Sequence, residues 1–209
     1  MKIINQSYEI LSDPDLRKQL KLIELSGRTA YKSEDKITDD SAKDFVKMIN
    51  NRNHEAVLEH SFLSVKFITD RGVSHELVRH RLCSFTQEST RYCNYSKDKF
   101  DNGITFIWPI WYNQEETASA IWLKSISQSE IDYLKMLELG WNPQQARSVL
   151  PNSLKTEIVV SANFREWKHI FRLRAISKAA HPQMRDLMIP LYNYCREQLP
   201  EIFDLGAKE

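Results

Sequence analysis

The sequence predicts an α+β protein with a mixed or antiparallel sheet flanked by helices. Two observations carry that prediction. Segments with helical apolar spacing precede, interrupt and follow the strand-like runs, and their order lacks the regular βαβ alternation of a doubly wound fold. A third observation narrows it: with only five glycines, at Gly27, Gly72, Gly103, Gly140 and Gly206, no GxGxxG turn or Walker loop can be written anywhere. Any nucleotide bound here must therefore be held by side chains and helix N-termini rather than by a glycine-rich cradle. The 209 residues contain no Gly-, Ser- or Pro-rich linker, so residues 1–209 read as a single domain.

The elements follow in order. Ser41 to Asn50 is predicted as a helix because Phe45, Val46 and Ile49 share a face. Ser61 to Asp70 reads as a strand, with Phe62, Val65, Phe67 and Ile68 suited to a partly buried sheet. Gly72 is expected to end it and Ser74 to cap a helix carrying His75 to about Ser84, after which Thr90 to Tyr95 reads as extended. Ile121, Leu123, Ile126, Tyr133, Leu134 and Leu137 recur near helical spacing, which predicts a long helix from about Gln114 to Leu139, stopped at Gly140. Asn142 and Pro143 restart a helix as cap and first residue, and Pro151 ends the short segment holding Arg147. Lys155 to Ala162 reads as a strand, Asn163 as the cap of a helix through Ala175, and Pro182 to Leu199 as a last helix kinked at Pro190.

Composition excludes several classes. A hydrophobic share of 42% with 11% aromatics supplies a core, and a formal net charge of +1 argues against a global footprint for nucleic acid or an anionic membrane. No apolar run approaches the roughly 20 residues of a membrane span, and the N-terminus lacks a signal-peptide core, so a cytoplasmic protein is expected. Cys83, Cys93 and Cys195 are odd in number and lack CxxC spacing, so they read as reduced thiols rather than a disulfide framework or zinc site.

The densest polar chemistry runs from Arg79-His80-Arg81 through Gln87, Glu88, Ser89, Thr90, Arg91 and Tyr92. Successive helical residues turn by about 100°, so three such side chains cannot share one solvated face. Two readings stay open: an amphipathic helix end whose arginines pair with Glu76 and Glu88, or a ligand site. His54 and His60 are six residues apart, about 240° around a helix, and so do not form a metal pair; no metal is expected. After Asn163, a helical wheel gathers Phe164, Trp167, Phe171 and Ala175 into an apolar stripe flanked by Asn163 and Arg174, with Arg165, His169 and Arg172 nearly opposite. Solvent exposure is the simple expectation for Arg172 and Lys168.

Arg-His-Arg, seven intervening residues and then Ser, continuing into Ser89-Thr90-Arg91-Tyr92, resembles the signature of flavin-dependent thymidylate synthases. The resemblance extends to Gly27-Arg28-Thr29-Ala30-Tyr31-Lys32-Ser33, to His54 through His60 and to Ala146 through Pro151, which is most of the chain. It implies the thymidylate synthase-complementing protein fold, a homotetramer with active sites at subunit interfaces, and conversion of dUMP to dTMP. FAD would be the cofactor, with NADPH and 5,10-methylenetetrahydrofolate as co-substrates. It implies FAD contacts at His54, Ala56, Arg79, His80, Arg81, Gln87, Asn163, Arg165 and His169. It implies dUMP contacts at Glu76, Arg79, Gln87, Glu88, Ser89, Thr90, Arg91, Arg147 and Arg174, the loop from Gln87 to Arg91 being supplied to another subunit's site. Arg174 is implied as the catalytic group that polarises the pyrimidine, with no protein nucleophile, so Ser89 is a binding hydroxyl and Cys83 a bystander.

The chain departs from the usual family pattern at Ala56, where Ser or Thr is frequent, at Glu76 for Gln, at Gln87 for Glu, at His169 for Asn and at Gln183 for Glu. Two other functions stand beside this one. A different FAD-dependent reductase would share the flavin but show no need for dUMP. A non-enzymatic nucleotide- or RNA-binding module would use the arginines with Tyr92, Tyr95, Trp108 and Trp111.

Overall fold

The structure, a computed structural model, describes residues 1–13 and 15–206. In chain order the elements are β1 (Lys2–Ile4), β2 (Ser7–Ile10), α1 (Leu20–Thr29), α2 (Ser41–Asn51), β3 (Phe62–Asp70), α3 (Arg71–Leu77), β4 (Ser84–Gln87) and β5 (Thr105–Ile107). There follow α4 (Thr117–Glu138), α5 (Pro143–Ala146), β6 (Lys155–Asn163), α6 (Phe164–Phe171), α7 (Pro182–Gln198) and α8 (Pro200–Phe203). Short 3₁₀ turns include Glu55–His60 and Arg147–Val149, and a π turn spans Arg172–Ile176. β2, β3, β6 and β4 line up in that order in a four-stranded sheet, while β1 and β5 pair in parallel with Lys2 opposite Thr105. The result is the expected α+β mixture of sheets and helices.

The central strands alternate. Leu63, Val65, Phe67 and Thr69 of β3 are buried, as are Thr156, Ile158, Val160 and Ala162 of β6, with their neighbours turned outward. This period of two puts Lys155, Glu157 and Asn163 on the opposite side of β6 from its buried residues.

The chain forms two compact units. The first comprises Met1–Ser7, Phe67–Arg79 and Phe85–Val159. Its core gathers Tyr95, Ile104, Phe106, Ile126, Tyr133, Ala146 and Leu154. The second comprises Tyr8–Lys66, His80–Ser84 and Val160 onward, and it buries Leu16, Ile23, Val46, Leu58, Trp167, Phe171, Met184 and Phe203. In it α6 lays down the expected stripe: Phe164, Trp167 and Phe171 are fully buried and Ala175 nearly so. The Trp167 indole N–H donates to the Leu63 carbonyl at 3.0 Å.

Three local expectations are corrected. The helix after β3 begins at Arg71, capped by Asp70, whose Oδ1 accepts from the Val73 N–H at 2.7 Å. Gly72 does not break the chain there; a Cβ at Gly72 would stand 3.1 Å from that capping oxygen, so glycine makes room for the cap. Ser74 is buried within α3 and its hydroxyl donates back to the Arg71 carbonyl. The helix ends at Leu77, so Arg79, His80 and Arg81 lie in a turn closed by Cys83 N–H to the His80 carbonyl at 3.1 Å, not on a helix face. The strand falls at Ser84–Gln87, whereas Thr90 to Tyr95 lies in turns in which the Tyr92 and Cys93 N–H groups both donate to the Ser89 carbonyl. Sequence reading missed β1, β2 and β5, which are only three or four residues long, and also α1, although Leu20, Ile23, Glu24 and Gly27 are buried at helical spacing.

Trp167→Ala is expected to lower unfolding free energy by about 3–5 kcal/mol, the usual cost of emptying a packed aromatic site. Urea denaturation followed by circular dichroism measures it, and a loss below about 1 kcal/mol would show that this site is not packed as described.

Candidate active site

The first unit gathers most of the uridylate candidates. Gln87, at the end of β4, donates its side-chain amide to the Ser74 hydroxyl at 2.9 Å and the Thr156 hydroxyl at 3.1 Å. These partners fix the amide in place. Glu88 accepts from the Tyr95 phenol at 3.0 Å and from Lys155 at 2.9 Å, so its side chain is engaged within the protein. Burial works against the Lys155 charge, but Glu157 and Glu88 outweigh it and hold its pKa above the ordinary lysine range.

The neighbouring arginines differ. Arg91 Nε donates to Gln144 Oε1 at 3.0 Å, and its guanidinium lies 5.2 Å from the Tyr92 ring centroid. Arg147, just beyond the capping box of Asn142 and Gln145, donates to the Thr90 hydroxyl at 3.2 Å. Both guanidinium partners are neutral, so neither cation is cancelled by a carboxylate among the described residues. That is the electrostatic condition for holding an anion such as phosphate. Ser89 Oγ accepts from the Arg91 N–H at 3.3 Å, which folds the loop back on itself. Glu76 and Arg79 also belong to this unit, Glu76 half-buried and Arg79 exposed.

The second unit gathers the flavin candidates except Arg79 and Gln87. Asn163 Oδ1 caps α6 by accepting from the Glu166 N–H at 2.8 Å, as the sequence indicated. Arg81 and His169 are exposed and His80 is buried. The π turn after α6 carries Arg174, whose Nε donates to His80 Nε2 at 3.2 Å. On the other side of that imidazole, Glu166 Oε1 lies 3.5 Å from Nδ1.

A cavity of about 400 Å³ is lined by Gly27, Tyr31, Asn53, His54, Ala56 and Arg165 among others. Glu55, also on its wall, accepts from Lys168 and lies 3.9 Å from both Arg165 and Arg172, while Arg165 also pairs with Glu59. Lys168 is thus not solvent-exposed, as its place on the wheel suggested; it is almost fully buried, with Asn50 as a second partner. Three cations against two carboxylates leave a local positive excess. A cavity with Tyr31, His54 and an arginine on its wall and that excess fits part of an anionic dinucleotide such as FAD.

His80, Glu166 and His169 also bring three potential ligand atoms within 4.8 Å of one another. The Arg174 guanidinium on His80 opposes a dication there. At Cys83, burial, with the Glu166 charge nearby, pushes the thiol up to about 12, which disfavours the thiolate that a nucleophile needs.

Sequence reasoning missed Glu55, Lys168, Glu166 and Lys155. Glu166 carried a signal, lying three residues after the Asn163 cap in a capping-box pattern. The others are recognisable only by the partners that burial gives them.

Fold and site together define an α+β protein whose candidate site is built from arginine and histidine side chains. Residues 15–201 match the model of the family described as thymidylate synthase complementing protein. The chain is 32% identical over 148 residues to the flavin-dependent thymidylate synthase of Pyrococcus abyssi, an alignment spanning 70% of this chain and 60% of that one. It is 31% identical over 201 residues to that of Corynebacterium aurimucosum, covering 88% of this chain and 78% of the relative. Against the Thermococcus kodakarensis protein of that name the identity is 36%, but the chain spans only about half, 51%, of the relative's length. Among solved structures, the UMP/dUMP methylase PolB from Streptomyces cacaoi bound with 5-Br dUMP superposes with a TM-score of 0.76 at 18% identity, over 98% of this chain and 96% of that one. The fold is shared. The chain belongs to the thymidylate synthase complementing protein family.

Glu55 titrates usefully. Burial raises its carboxyl, but the Lys168 hydrogen bond and the charges of Lys168, Arg172 and Arg165 outweigh it and hold its pKa below the usual range. A folded pKa below the unfolded one gives stability that is present above the ordinary carboxylate range and lost as pH falls through the folded value. Glu55→Gln is therefore expected to lower stability by about 3 kcal/mol at neutral pH, since it leaves the buried Lys168 charge uncompensated. Denaturant midpoints across pH should show the gap to the parent closing on acidification; a gap independent of pH would contradict this assignment.

Proposed function

We propose that the protein methylates dUMP to dTMP, using FAD with NADPH and 5,10-methylenetetrahydrofolate as co-substrates. The observation that carries this reading is Arg174, set in a π turn and tied to buried His80, within a family whose relatives bear the name flavin-dependent thymidylate synthase. π turns concentrate at functional sites because they break the regular backbone ladder to aim a side chain.

In this reading Arg91 and Arg147 take the nucleotide phosphate, since their charges are not cancelled from within the protein. Ser89, Thr90, Gln87, Glu88, Glu76 and Arg79 complete the uridylate contacts. Arg174 polarises the pyrimidine and stabilises negative charge as its ring N–H ionises, so that carbon five becomes nucleophilic without a covalent protein adduct. The flavin is held by His54, the Ala56 backbone, His80, Arg81, Asn163, Arg165 and His169, with Arg79 and Gln87 touching both ligands. FAD, when bound, supplies the reducing equivalents that complete the methyl group. Excluding a cysteine nucleophile agrees with the raised Cys83 thiol.

The reading includes a homotetramer whose subunits share active sites. Leu82 and Tyr92, 78% and 75% exposed, supply apolar surface beside the Arg79–Arg91 segment for another copy to cover. It also includes residence in the cytoplasm; among the described residues no helix is long and apolar enough to cross a membrane.

Arg174→Ala is expected to keep bound FAD, read by its visible absorbance, but to lower dTMP formation at least about 100-fold, the scale of losing a preorganised donor. Cys83→Ala should form dTMP at close to the parent rate. An active Arg174→Ala enzyme, or loss of activity confined to Cys83→Ala, would defeat the mechanism.

A further inference from the structure

We propose that Glu166 is a positioning residue for Arg174 and acts through His80. The proposal rests on the reaction assigned above for what Arg174 does, and on geometry alone for how it is held.

The three groups form a row. His80 and Glu166 are both buried, 6% and 7% exposed. Glu166 Oε1 lies 3.5 Å from His80 Nδ1, and Arg174 Nε donates to His80 Nε2 at 3.2 Å. A guanidinium can only donate and an ionised carboxylate can only accept. The imidazole between them satisfies both in one state, with its proton on Nδ1 and its lone pair on Nε2. The opposite tautomer would set two donors against each other at Arg174 and leave a lone pair facing a carboxylate. Glu166 thus selects the state of His80 that can receive Arg174.

The consequence falls on the guanidinium. Fixing Nε on an imidazole fixes the plane of the group and so the direction of its terminal nitrogens. Side-chain anchoring matters here because the backbone under Arg174 is irregular: the Ser177 N–H reaches back five residues to the Arg172 carbonyl at 3.0 Å. His80 has both ring nitrogens turned to protein groups, so it orients Arg174 through them and, in the reading above, meets the flavin through the face or edge of its ring. Burial pushes the Glu166 carboxyl above its ordinary range, against the opposing charge of His169, and the Cys83 thiol beside it is kept protonated.

Two readouts test this. The first is nitrogen NMR of ¹⁵N-histidine-labelled, FAD-loaded protein, with His80 assigned by its loss in His80→Gln. The parent should show a neutral His80 protonated on Nδ1, and Glu166→Leu should shift it toward Nε2 protonation or a mixture. The second is kinetic. Glu166→Leu should take up FAD, keep a dUMP KM within about threefold of the parent, and lose about ten- to a hundredfold in kcat, with Glu166→Asp recovering part of the loss. If the leucine variant fails to fold, Glu166→Gln replaces it, because its amide nitrogen can turn toward Nδ1 and reverse the tautomer. An unchanged His80 tautomer in the folded variant, or a kcat within about twofold of the parent, overturns the proposal. A parent that makes no dTMP but shows the tautomer shift counts against the reaction and leaves the positioning contact supported.

Discussion

Burial of one face of α6 is the constraint on which the second unit's chemistry depends. Phe164, Trp167, Ile170 and Phe171 are all at most 1% exposed, and each contributes roughly 1.5–3 kcal/mol by leaving water. The Trp167 indole bond to the Leu63 carbonyl adds a directional pin. A helix held this way cannot rotate about its axis, so its other residues have assigned neighbours. Glu166 meets His80, Lys168 meets Glu55, and His169 is left exposed. The π turn then inserts a wider loop of backbone, which sets the direction of Arg174 independently of the α6 wheel.

Much of this was legible in the sequence, and the reasons for the remainder are physical. The long helix, the Asn163 cap and the apolar stripe of α6 depend on local periodicity and capping, which sequence displays directly. The segment from Val78 to Cys83 does not: it reads as helical, yet it turns out of α3 and buries His80 against Glu166 and Arg174, residues far away in sequence. Lys168 misled for the same reason. A lysine on a wheel looks solvated until a partner such as Glu55 lets its charge be buried. The π turn left no trace that helical spacing could detect, because Ala175 stays buried as a regular helix would have it.

The shortage of glycine shapes the kind of site the chain can build. Without a backbone cradle, anions must be met by side chains, and every side chain so used has to be held in place by others. Gln87 is fixed by Ser74 and Thr156, Arg91 by Gln144, and Arg147 by Thr90. These supporting partners are neutral, which leaves the guanidinium charges to a ligand. Where the support is charged, as with Glu55 and the buried Lys168, the pair is structural. That distinction separates residues placed to bind from residues placed to hold, and motif matching alone does not make it.

The central claim is that these side chains serve a flavin and a uridylate in one reaction. Tritium release from [5-³H]dUMP by the FAD-loaded protein, with NADPH and 5,10-methylenetetrahydrofolate present, tests it most directly. The account predicts tritium in water in step with dTMP, and none when FAD is left out. A protein that binds FAD and oxidises NADPH but releases no tritium would contradict it.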